Sequence, residues 1–265
     1  MGERGRGMAE LIRRPVRAFL RANKRLSQRW AGHLPHTRVN AFEAYARRVQ
    51  EVAPSRGVAV DAGAGTSTPF SSRLQSSVVW VVGVDLSYGA LAENRDVDAA
   101  VVADLQARAM PFGASTTDVV ASRAFLEHLP STAPFFEDAL RVLRPGGWFV
   151  ALAPGRYSWF GMLNRIVPDA AAGRVLFWLH PESVGVGGHK AYYDHLWPPD
   201  VKRILDRLGF CDVSVQPHYG TNYAYSFVPL FALTSLLELG LQSARLERFC
   251  STMIISARRP PVPGT

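Results

Sequence analysis

The sequence predicts a doubly wound α/β fold on a mainly parallel, seven-stranded sheet. Three observations predict it. From Val58 onward, short apolar runs that suit strands alternate with helix-patterned stretches. Three of those runs close on an aspartate, at Asp61, Asp85 and Asp104. The first runs straight into a glycine turn, Asp61-Ala62-Gly63-Ala64-Gly65. Ligands of open α/β sheets bind at the carboxyl ends of the strands, so the three carboxylates are expected to line one crevice.

Residues 1–37 read as a basic helical arm. Pro15 fits a first helical turn. Apolar residues at 16, 19, 20, 26 and 30 cover an arc of about 120°, with Arg17, Arg21, Lys24, Arg25 and Arg29 on the other side. The expected arrangement is a helix packed on the domain with a solvated basic face. The alternative is a helix that rests on a membrane or closes over a substrate.

Residues 38–265 read as one domain. A helix over 38–51 precedes the first strand, and Pro54 and Gly57 separate the two. Pro69 suits the start of a short helix to about Leu74. Val78–Val84 is an apolar run that suits a strand covered on both faces. A helix over 87–93, strands over 99–103 and 117–122, and a helix over 132–142 follow. Arg144-Pro145-Gly146-Gly147 is a hard stop before a strand over 148–153. Residues 154–198 break the rhythm with Tyr157, Trp159, Phe160, Phe177, Trp178, His180, His189, Tyr192, Tyr193, His195 and Trp197. An aromatic-rich insertion beyond a strand's carboxyl end is a natural lid. Helix 199–208, strand 212–216, a mostly helical stretch 226–247 and strand 252–257 complete the count.

Composition narrows the function. The chain has 265 residues and a net charge of +8. Residues 1–30 hold nine Arg/Lys against two Glu, so nearly all the net charge sits in the arm and the body is close to neutral. That argues against a nucleic-acid enzyme with a basic groove across its body. It leaves open a peripheral membrane contact through residues 15–30. Two cysteines, Cys211 and Cys250, make no disulfide framework or zinc pattern, which favours a reducing cytoplasm. No uninterrupted apolar segment follows the basic N-terminus as in a secretory signal. The uncharged stretch 219–237 is polar enough to read as a buried helix rather than a span.

A carboxylate at the lip of the glycine turn repels phosphate and welcomes a cationic amine. Together the segments Val60–Thr66, Val82–Ser87, Ala103-Asp104-Leu105, Asp118–Ser122 with Leu126-Glu127-His128-Leu129, and Leu140–Gly147 resemble the class I S-adenosylmethionine-dependent methyltransferases. The small-molecule group that includes the ubiquinone and menaquinone biosynthesis enzymes is the closest in flavour. The resemblance covers residues 38–153 well and 199–258 more loosely. It implies the Rossmann-like methyltransferase fold with S-adenosyl-L-methionine as cofactor. It also implies that Asp61, Ala62, Gly63 and Gly65 hold the methionine part, with Asp61 facing the ammonium. Asp85 takes the ribose hydroxyls, Leu86 packs on the adenine, Asp104 takes the adenine amino group with Leu105 beside it, and Ser122 lies near the methionine tail. Ser67 stands where the family often has a third glycine.

Methyl transfer needs a base only where the nucleophile must lose a proton. His128, beyond the fourth strand, is the candidate, although Glu-His-Leu at this place is also a structural feature of the family. Tyr157, Trp159, His189, Tyr192 and Tyr193 are the candidate acceptor residues, suited to a small, apolar or aromatic or lipid-like acceptor, with oxygen the favoured atom. A small satellite core under the lid is the competing reading for these aromatics. The spacing of His189, Asp194 and His195 fits no ligand pair, so no metal is expected. Two other functions compete: a non-catalytic cofactor-binding scaffold, and a nicotinamide-dependent oxidoreductase, whose fingerprint lacks its last glycine here.

Overall fold

The computed structural model describes residues 3–37, 40–74, 78–107, 109–166, 190–221 and 224–262. Helices α1 (Glu3–Ala31) and α2 (Ala41–Val52) precede strand β1 (Arg56–Ala62). Then come β2 (Val78–Asp85), α3 (Tyr88–Glu93), β3 (Ala99–Val102), β4 (Thr117–Arg123), α4 (Ala133–Val142) and β5 (Leu143–Pro154). The described chain continues through α5 (Trp159–Ile166), α6 (Pro198–Leu208), β6 (Cys211–His218), α7 (Val228–Ser243) and β7 (Thr252–Arg258).

One seven-stranded sheet has the order β3-β2-β1-β4-β5-β7-β6. β1 to β5 are parallel, and β7 runs antiparallel between β5 and β6. The strand order reverses between β1 and β4, which makes the crevice above their carboxyl ends the topological switch point. Both faces of the sheet are covered. On one, Tyr45 and Val49 of α2 join Ala59, Phe70, Val119, Ala121, Val150 and Leu152 in a buried cluster. On the other, Phe135 and Phe136 of α4 meet Phe149 edge-on, with centroids 6.2 and 5.5 Å apart. Asn40 caps α2 by accepting the Phe42 N–H.

The chain divides into two compact units. The sheet and its covering helices lie in one. The other holds α1 and α7, through Met1–Val39 and Tyr219–Leu246 among its segments. Among the described residues no helix is long and apolar enough to cross a membrane.

Four local expectations are corrected. α1 starts well before Pro15 and carries the proline inside it; the residues before it are mostly good helix formers. The side of α1 expected to pack inward is only partly covered: Val16 and Leu20 are half-buried and Phe19, Leu26 and Trp30 are exposed, while Ser27 and Ala31 are the buried positions. The expected helix after Pro69 is only a 3-10 turn at Ser71–Arg73. Its would-be first turn is committed elsewhere, because the Ser67 carbonyl accepts from Arg123 and the Thr68 N–H donates to Asp96. Finally, β5 begins at Leu143, and residues 144–147 form a bulge between the Thr117–Leu143 and Val119–Trp148 pairs. The Arg259 guanidinium donates to the Leu140 and Arg141 carbonyls, ending α4 before the glycines are reached.

Candidate active site

The glycine turn is closed by the neighbouring strand. Gly63 N–H and Ala64 N–H both donate to the Val84 carbonyl, at 2.8 and 3.1 Å. Gly63 and Gly65 have φ of +76° and +52°, where a side chain is strained. A Cβ on Gly63 would stand 2.7 Å from Phe125, whereas one on Gly65 would meet nothing within 4 Å. Gly63 is therefore a packing requirement, and Gly65 is the open lip.

Asp61 is buried, and its Oδ1 has no hydrogen-bond partner. Burial pushes its carboxyl up to about 7, and Asp85 and Asp96 push the same way. A hydrogen bond from the Thr68 side chain and the charge of Arg123 pull it back. A buried, half-satisfied carboxylate is costly unless a cation completes it. Strand register sets Asp61 beside Ala121 and Ala62 beside Ser122, so Ser122 points to the opposite face from Asp61. The Ser122 hydroxyl is also buried without a partner.

Asp85 closes β2 and holds the turn: Oδ2 accepts from Gly65 N–H at 2.9 Å and Oδ1 from Ser87 N–H at 2.8 Å. Leu86 next to it is exposed, as a platform for a ligand would be. Asp104 lies two residues beyond the Asp85–Val102 pair. Its Oδ1 accepts from Gln106 and Ala107 N–H, a turn-capping role. Leu105 beside it is buried.

Beyond β4, His128 Nδ1 lies 3.0 Å from the Lys190 carbonyl oxygen. A carbonyl only accepts, so Nδ1 carries the proton and Nε2 is the basic nitrogen. Tyr192 and Tyr193 N–H both donate to the Glu127 carbonyl, at 2.7 and 3.2 Å, which brings His128 and the tyrosine pair together. Tyr192 is partly exposed under the Lys190 ammonium, whereas Tyr193 is buried. Tyr193 and His195 both have φ above +50°, and so does Ala124 after β4. Left-handed residues without glycine cluster at functional sites. The Glu127 carboxyl is pushed up to about 7 by burial, and its Oε2 has no partner.

Tyr157 packs in a cluster with Trp197, Phe249 and the Arg248 guanidinium. Trp159 meets Phe160 edge-on at 5.8 Å. His189, like Phe177, Trp178 and His180, lies outside the described residues. His195 is held between Asp194 and Asp200. Among the described residues no group of three or more His, Cys, Asp or Glu is placed to hold a metal.

Several residues of the crevice were not anticipated from sequence. Asn94 Nδ2 donates to the Gly65 carbonyl and to Thr68 Oγ1, both at 3.2 Å, so it tethers the turn and the residue that bonds Asp61. Arg123 Nη2 donates to Ser67 O and Oγ at 3.3 Å. The serine in place of a third glycine thus gains a partner of its own. Tyr45 feels the charges of both Asp61 and Arg123, and its hydroxyl is buried without a partner. The one sequence signal for Arg123 was its place directly after Ser122.

Residues 60–151 match the family model described as a methyltransferase domain. No curated relative matches the chain. Among solved structures, phosphoethanolamine N-methyltransferase 2 of Haemonchus contortus, in complex with phosphomonomethylethanolamine and S-adenosylhomocysteine, aligns with a TM-score of 0.53 at 15% identity. The alignment covers 89% of this chain but only 57% of that one, so the present chain spans little more than half its length. A SAM-dependent methyltransferase from Archaeoglobus fulgidus aligns with a TM-score of 0.55 at 17% identity, over 83% of this chain and 95% of its own. One from Mesorhizobium loti aligns with a TM-score of 0.50 at 21% identity, over 83% and 98%. At these identities the likeness is one of fold. The sheet is the Rossmann-like methyltransferase fold, and the matched segment, residues 60–151, runs from β1 to β5.

Proposed function

We propose that this protein is an S-adenosylmethionine-dependent methyltransferase. Its acceptor is a small apolar or aromatic compound with oxygen the favoured atom, and its subtype is the one that resembles the ubiquinone and menaquinone biosynthesis methyltransferases. The observation that carries the reading is Asp61, a buried carboxylate with one oxygen unpartnered beside a glycine turn whose lip is open at Gly65. The cofactor's ammonium would complete that carboxylate. Arg123 and the unpartnered Tyr45 hydroxyl would hold its carboxylate, and Asp85 its ribose hydroxyls. Leu86 and Leu105 would flank the adenine, and Asp104 would face its amino group. Ser122 would border the methionine tail. Bound there, S-adenosylmethionine supplies an electrophilic methyl group on a sulfonium.

The chain's own task is to align the acceptor and keep water out, and good positioning can supply about 7–11 kcal/mol. His128 Nε2 is suited to take a hydroxyl proton, since the Lys190 carbonyl fixes the other nitrogen as the donor. That favours oxygen as the methylated atom. Tyr192 and Trp159 offer aromatic surface for the acceptor.

Thermal shift with S-adenosylhomocysteine and with NAD(H) tests the reading. The expected result is stabilisation by the former alone, lost in Asp61→Asn. Stabilisation by NAD(H) alone overturns it.

A further inference from the structure

Helix α7 is turned inside out. Its buried positions are Phe231, Thr234, Ser235 and Glu238, spaced along one side, and three of the four are polar. Leu230, Leu233, Leu236 and Leu237 are exposed, the middle two at 66% and 69%. A helix packed for water shows the reverse pattern. The inward side is committed: Glu238 Oε2 lies 3.8 Å from His36 Nε2, and both side chains are buried. The helix cannot roll its leucines inward without exposing that pair.

α1 lies against α7. Asn23 Oδ1 accepts from Val228 N–H at 3.0 Å, and the Trp30 ring meets Phe231 edge-on at 6.2 Å. On α1, Ser27 and Ala31 are buried, while Phe19 and Leu26 are exposed and Trp30 stays half-exposed beside Phe231. Arg21, Arg25 and Arg29, four residues apart, form an exposed cationic row on the same helix. Between Pro15 and Ala31 there is no acidic residue, and the only acid of α7 is the buried Glu238.

We propose that α1 and α7 form a docking face for an anionic lipid bilayer. Charge complementarity selects this occupant. Exposed leucines alone would suit any apolar partner, and arginines alone any anion. Apolar side chains flanked by arginines, with no acid between Pro15 and Ala31 of α1 and only the buried Glu238 on α7, suit a surface with an oily interior and phosphate headgroups. The leucines enter the acyl boundary, and the arginine stems follow while their guanidinium groups reach the phosphates. The contact is peripheral, because no described helix is long and apolar enough to span. It does not depend on the reaction catalysed, although an apolar acceptor drawn from the bilayer would fit it.

Co-sedimentation of the full chain with vesicles of equimolar phosphatidylcholine and phosphatidylglycerol at low salt tests the proposal. Binding is expected, with little to phosphatidylcholine alone. Arg21→Ala/Arg25→Ala/Arg29→Ala should weaken it about a hundredfold. Leu233→Gln/Leu236→Gln should abolish it while leaving the melting temperature and the S-adenosylhomocysteine shift unchanged, since both side chains are exposed. No binding to the anionic vesicles overturns the proposal. So does equal binding to neutral ones. Self-association of the wild type that the leucine variant abolishes, without vesicle binding, assigns the face to a second copy instead.

Discussion

Asp61 carries a conflict that the free protein leaves in place. Its carboxyl is raised from the usual 3.8 to about 7, chiefly by burial. The folded chain therefore holds this proton more tightly than the unfolded chain. The stabilisation is fullest below about pH 4 and declines as pH rises to about 7. Asp61→Asn removes the buried charge with little change of shape. Urea unfolding of the free protein should show the variant more stable at pH 8 by on the order of 2–4 kcal/mol, with the gain vanishing near pH 4. A loss of stability at pH 8 would mean that the charge is already compensated. Arg123 acts in the opposite sense, since its charge draws the Asp61 carboxyl down. Arg123→Ala should weaken S-adenosylhomocysteine binding by roughly tenfold to a hundredfold, as expected for a charge-assisted contact. Calorimetric titration checks it; an unchanged affinity would remove Arg123 from the proposed site.

At the scale of elements, the two ends of the parallel strands serve different purposes. At the amino end, Asp118 of β4 accepts from Val58 N–H of β1 at 2.8 Å and from Arg144 of β5 at 2.6 Å. At the carboxyl end, Asp85 holds the glycine turn. Asp118→Ala should cost about 1–3 kcal/mol of stability by leaving a half-buried N–H unpaired, with cofactor affinity intact. Asp85→Ala should lower affinity at least about a hundredfold, because a positioned acceptor and the turn geometry go together. Comparable losses of affinity in both variants would contradict this division. The strands and the three carboxylates were legible because each depends on its own short stretch, an apolar run and then a polar stop, although the cover expected on both faces of Val78–Val84 fails at Trp80, which is 60% exposed. The 3-10 turn after Pro69 and the bulge at 144–147 were not. They are decided by Asp96, Arg123 and Arg259, which are distant in sequence. Tyr45, Thr68 and Asn94 were hidden for the same reason. α7 misleads in another way: a leucine stripe reads as core from sequence, and only the His36–Glu238 pair shows that the other side faces in.

For the whole molecule, the buried acids and histidines set opposing limits on stability. Glu127, like Asp61, is raised to about 7 by burial, so its contribution also declines between about pH 4.5 and 7. His36 and His218 are lowered by burial, so each is held neutral, and their contribution is lost as pH falls through the ordinary histidine value of 6.5. The pH dependence of the free protein mixes the two effects and identifies neither. The increment in stability from bound S-adenosylhomocysteine separates them, because the histidines are common to the free and bound protein and cancel. If Asp61 binds the ammonium, it must ionise first. Affinity should then fall roughly tenfold per pH unit below about 7 and level off above it. The thermal shift at fixed ligand concentration should be largest near pH 8, and in Asp61→Asn it should be small and nearly independent of pH. A wild-type increment that stays flat from pH 5.5 to 8 would place the cofactor's ammonium away from Asp61. The buried carboxylate would then be a structural charge rather than the anchor of the site.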